Sequence, residues 1–207
     1  MSPGKARRRV LASLVAIAAA VSVCWASAAD AATVTVGSPI TTYLDGGDVG
    51  TNGSDTTVAN LTLPEAGAHA TSPVSGTIVQ WRVVTLGTGQ YALRVMRPAG
   101  GTAYTGAGIA AQTISTPGSY TFTANLPIQA GDLIGMDLPD NNGIAATNIT
   151  GGSHSTWVPS IPDGGPAASP VFDNIGEAAF NADVQSPDPV ATPPTQKKCK
   201  KKKHRAA

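Results

Sequence analysis

Cysteine is nearly absent: the 207 residues hold only Cys24 and Cys199. Cys24 ends an N-terminal apolar run and Cys199 sits in a basic C-terminus, so no disulfide staples a domain and folding rests on burial. Charge is sparse at 13% and aromatics at 5%. Histidine is confined to His69, His154 and His204, with no His-x-x-x-His ligand pair and no Gly-x-Ser-x-Gly elbow. Metal-hydrolase and serine-hydrolase readings therefore have nothing to stand on. No stretch carries a sustained helical period with caps. The longest apolar run, Val10 to Cys24, falls short of the ~20 residues that span a bilayer. What is abundant is glycine (23) and proline (16), beside Thr, Ala and Val, which suits a β protein with many tight turns.

The N-terminus reads as an export leader over residues 1–31. Lys5, Arg7, Arg8 and Arg9 precede the apolar run, and Ala26-Ser27-Ala28 and Ala29-Asp30-Ala31 offer small-x-small cleavage spacing. A short apolar segment followed by such a site is removed, not kept as an anchor.

The formal charge of +1 conceals an asymmetry. Residues 32–185 hold three arginines (Arg82, Arg94, Arg97) against eleven carboxylates, near −8. Residues 186–207 hold seven cations (Lys197, Lys198, Lys200, Lys201, Lys202, Lys203, Arg205) against Asp188, near +6. Between them runs Ser186-Pro187-Asp188-Pro189-Val190-Ala191-Thr192-Pro193-Pro194-Thr195, an extended Pro-rich linker, and the like-charged block after it is expected to be disordered.

Residues 32–185 carry strand-like runs every 8–15 residues, broken by Gly, Pro, Asn and Asp. The runs are Thr33–Val36, Ile40–Leu44, Thr57–Leu63, Thr77–Thr85, Tyr91–Met96, Ile109–Ile114, Tyr120–Thr123, Leu133–Leu138, Ile144–Ile149, Ser155–Val158 and Glu177–Val184. In the clearest, Thr77, Val79, Trp81 and Val83 share one face, with Trp81 as core. Gly87-Thr88-Gly89 turns into Tyr91–Met96, and the pair reads as a hairpin or adjacent antiparallel strands. About nine or ten short strands predict an antiparallel β-sandwich or jelly roll, in one domain.

Two segments carry a resemblance. Ser75–Val83 followed by Tyr91–Pro98, and Phe122–Gly135, are similar to exported β-sandwich proteins of high-GC Gram-positive soil bacteria, and the Lys-rich end resembles tails on their surface proteins. The resemblance implies fold and compartment, and no chemistry.

Candidate ligand-binding residues fall in two loops. Asp45, Asp48, Asn52 and Asp55 concentrate oxygens among glycines, as a weak extracellular Ca²⁺ site requires; the alternative is a solvated turn. Asp140-Asn141-Asn142-Gly143 is a lesser version. The 151–170 loop carries Trp157, His154 and Asp163, a flat ring beside polar partners that could form a carbohydrate platform; the alternative is that Trp157 covers an end of the sandwich. The seven tail cations would bind polyanions, meaning anionic wall polymers or lipid headgroups outside a Gram-positive cell, with no specific nucleic-acid readout.

The sequence thus predicts a secreted, non-enzymatic β-sandwich retained at the cell envelope as a binding or surface-structural module. A carbohydrate-binding domain acting through the 151–170 loop is the alternative, and a polysaccharide hydrolase with an unmarked carboxylate pair is a further one.

Overall fold

Alternation along a strand sends every second side chain to one face, and stacking two sheets buries those rows against each other. The computed structural model describes residues 31–40, 47–50 and 54–187. Most of the expected leader and all of the basic block therefore lie outside the described residues, as do residues 41–44 of the expected second strand.

Thirteen strands and no helix occur among the described residues: β1 (Thr33–Gly37), β2 (Gly47–Gly50), β3 (Thr56–Thr62), β4 (Gly76–Thr85), β5 (Gly89–Gly100), β6 (Ala103–Ile114), β7 (Gly118–Ile128), β8 (Leu133–Leu138), β9 (Gly143–Thr147), β10 (Ser153–Trp157), β11 (Phe172–Ile175), β12 (Glu177–Ala178) and β13 (Phe180–Gln185). They make two antiparallel sheets, a β-sandwich. One sheet runs β1-β13-β4-β9-β12, with β2 paired to β9 and β7 to β4; the other runs β11-β10-β3-β8-β5-β6. The count exceeds nine or ten because the run Glu177–Val184 divides at Ala179 and because β2 and β11 lack any alternating signal.

Between the sheets Ile78, Trp81, Val83, Phe180, Ala182 and Val184 meet Val58, Tyr91, Leu93, Val95, Ile134 and Met136. Trp81 is fully buried, with its ring 4.7 Å from that of Phe122. Burying a side chain of this size contributes about 3 kcal/mol before entropy is counted.

Two expectations are corrected. Val79 does not share the inward face of Trp81: against β7 the register shifts between Ile78 and Gln80, so Ile78 is buried, Val79 is half-buried, and the inward row resumes at Trp81 and Val83. A β-bulge moves a side-chain row to the other face in this way.

Nor do β4 and β5 form a hairpin or lie as adjacent antiparallel strands. β4 pairs with β13, β7 and β9, while β5 pairs with β6 and β8 in the other sheet. The link between them is tied to the β8–β9 turn instead: Thr88 N donates to Asn142 Oδ1 at 3.0 Å and Leu86 N to Gly143 O at 3.0 Å. A Cβ at Gly87 would lie 1.8 Å from Asn142 Oδ1, so this glycine serves close approach of another turn.

The outer face of the β3-β8-β5 region is covered as well. Residues 158–170 cross it as a strap, and Ile161 joins Ala59, Met96, Leu133 and Trp157 in a second buried cluster.

Candidate functional site

The two sheets part where their short edge strands face each other, β2 beyond β9 on one side and β11 beyond β10 on the other. The gap is a cleft of about 620 Å³. Its lining includes Asp48 of β2, Asn148 after β9, His154 and Thr156 of β10, and Phe172 and Asn174 of β11.

Strand register explains the placement. Antiparallel pairing aligns His154 with Asn60 on one side and Asn174 on the other, a row across β3, β10 and β11. Residues directly opposite each other share a face. The inner end of this row is fixed: Asn60 Nδ2 donates to Ala178 O at 2.9 Å, and Ala178 N donates to Asn60 Oδ1 at 2.8 Å. One side chain thereby ties β3 to β12 in the opposite sheet. A second row, Val58, Thr156 and Phe172, runs beside the first, from full burial at Val58 to a ring 59% exposed at Phe172.

His154 is buried, and its Nδ1 stands 3.2 Å from Gly176 O. A carbonyl oxygen only accepts, so Nδ1 carries the proton and Nε2 keeps a lone pair. Burial pushes the imidazole pKa below its usual value, with the Gly176 bond opposing, so the ring is held neutral.

The 151–170 residues are not gathered as the sequence suggested. Trp157 points to the outer face of its sheet and is 1% exposed. Its Nε1 donates to Ala168 O at 3.1 Å, and Tyr104 stands edge-on to the ring at 5.7 Å. A ring packed this way anchors the strap and offers no open platform. Asp163 belongs to an ion network on that same outer face: Arg94 Nη1 reaches it at 2.6 Å, while Arg94 Nε and Nη2 hold Asp137 at 2.9 and 2.5 Å. Asp137 also accepts from Thr57 Oγ1 at 2.6 Å. Burial pushes its carboxyl pKa up, against the pull of Arg94 and Thr57. Only His154 of the three reaches the cleft.

Of the acidic loop, two of the four candidate residues are described. Asp48 lies on β2, paired with Ala145, and Asp55 precedes β3; Asp45 and Asn52 lie outside the described residues. Among the described residues no three His, Cys, Asp or Glu side chains gather as a metal site requires. In the Asp140–Gly143 segment, Asn142 Nδ2 donates to Asp140 O at 2.8 Å and Asn141 takes a left-handed φ of 56°, the turn role for such residues.

Thr156, Phe172 and Asn174 were missed because the i, i+2 spacing that aims them into the cleft spans only two residues on each strand. Asn148 lies after a strand end, where no periodicity points to it.

All three arginines of residues 32–185 are committed: Arg82 to Asp183 at 2.6 Å, Arg94 to Asp137 and Asp163, and Arg97 to Asp132 at 2.9 Å. No family model, curated protein or solved structure matches the chain.

Proposed function

We propose that the chain is an exported, non-enzymatic binding module retained at the cell envelope, its basic tail supplying retention and its β-sandwich supplying recognition. The observation that carries this reading is the division of charge. Every arginine of residues 32–185 is spent on an aspartate of the same domain, which leaves that domain strongly acidic. Affinity for anionic wall polymers or lipid headgroups then has one source, the seven cations from Lys197 to Arg205.

The leader at residues 1–31 supports the compartment, and the small-x-small spacing supports release from the leader. The test is a deletion of residues 197–205 in the expressing cell. Retention on envelopes at low salt is expected to drop to background, and the intact chain is expected to elute as salt rises. Retention equal to that of the intact chain would overturn the reading.

A further inference from the structure

We infer that the cleft between β2–β9 and β10–β11 binds an uncharged saccharide, with His154 Nε2 accepting from a hydroxyl, Asn148 and Asn174 bonding further hydroxyls, and Phe172 lying against a sugar-ring face. This deepens the reading of the sandwich as a recognition module and rests on it.

Four features of the cleft select that ligand class. The first is volume: about 620 Å³ falls within the usual span of small-ligand sites. The second is its hydrogen-bonding chemistry. A neutral imidazole with its Nδ1–H committed to Gly176 O offers a pure acceptor, which demands a donor from the ligand. Primary amides at Asn148 and Asn174 donate and accept, and Thr156 adds a hydroxyl. Hydroxyl groups, donor and acceptor at once, match such a set.

Charge is the third. Among the described residues no lysine or arginine lines the cleft, and Asp48 is the one acidic side chain there. An anionic ligand would enter an acidic domain with no cation to meet it, whereas a neutral polyol carries no such cost. The fourth is the distribution of exposed apolar surface. Of the five large hydrophobic residues exposed among the described residues, Phe172 and Ile175 line the cleft. A flat ring 59% exposed beside amides is how proteins meet the apolar face of a pyranose.

The cleft and the tail thus have opposite preferences and can be assayed apart. The full chain is tested in about 0.5 M NaCl, where the Debye length is near 4 Å and the tail contributes little. The probes are insoluble cellulose, chitin, xylan and β-1,3-glucan for retention, and the matching hexasaccharides for calorimetry. Retention on at least one glycan is expected, unchanged by deletion of residues 197–205. Phe172→Ala and Asn174→Ala are each expected to weaken it about tenfold or more, with unaltered thermal melting because both side chains are exposed. Absence of retention on all four glycans overturns the inference, and so does binding that both variants leave intact or that tail deletion abolishes. Envelope retention at low salt is decided separately, so either reading can fail alone.

Discussion

Arg94 on β5 and Asp163 in the 158–170 strap meet at 2.6 Å, and the same guanidinium holds Asp137 of β8 from its other edge. The Arg94 side chain is 6% exposed, that of Asp163 42%. The two carboxylates are therefore unequal partners. Asp163→Asn is expected to cost about 0.5–1 kcal/mol, the range of a half-exposed pair, while speeding amide exchange in residues 158–170. Asp137→Ala is expected to cost about 3 kcal/mol, because it removes the buried partner of a buried cation. Equal urea midpoints for the two variants would show that the strap carries the network instead of capping it.

Asn60 exchanges two hydrogen bonds with the backbone of Ala178 across the sandwich. Asn60→Ala leaves a buried N–H and C=O without partners, and is expected to destabilise by about 2–4 kcal/mol in urea unfolding. Asn60→Asp keeps the acceptor and loses the donor, and is expected to be no better, since it also buries a charge.

His154 sets a pH dependence. In the unfolded chain the ring titrates at its ordinary 6.5; in the fold its pKa is lower. The unfolded state therefore binds the extra proton as pH falls, so stability is fully present above about 6.5 and declines as pH drops through the folded value. Asp183, held low by its bond to Arg82, adds a second loss in the same direction below its ordinary 3.8. His154→Gln keeps a donor for Gly176 O and removes the titration, so its urea midpoint is expected to be flatter between pH 7 and 5. A variant that follows the parent slope through this window sinks the assignment.

Gly37 ends β1 with φ at +99°, and an added Cβ would lie 2.6 Å from Phe180 O and 2.8 Å from Asn181 Cα. Gly37→Ala is expected to cost about 2–4 kcal/mol, from backbone strain and a clash with the neighbouring strand. Gly101, in the β5–β6 turn at φ +58°, has nothing within 4 Å, so Gly101→Asn is expected within about 1 kcal/mol of the parent. Thermal melting of the pair separates strain alone from strain with contact.

Strand positions were legible where alternation ran long, as at Leu133–Leu138, predicted and found with the same ends. Partners were not. Gly87-Thr88-Gly89 carries hairpin composition, yet what decides its path is Asn142, more than fifty residues on, which no local pattern announces. The cleft was hidden for a related reason. His154 and Asn174 are twenty residues apart in the chain and become neighbours only through β10–β11 register. Trp157 drew attention as a loop aromatic, but its fate was set by Tyr104 and Ala168, which turn it into cover for the sheet. Composition located the tail and the acidic domain at once, because charge totals need no geometry.

The ten residues of β4 run about 30 Å at strand rise. At its Gly76 end β13 finishes beside it, and Ser186 N donates to Ala32 O, so the chain enters and exits there as neighbours. At its Thr85 end β9 joins, carrying β2 and with it one wall of the cleft. The domain is thus polarised: the chain enters and leaves beside one end of β4, and the strand that carries a wall of the cleft joins at the other.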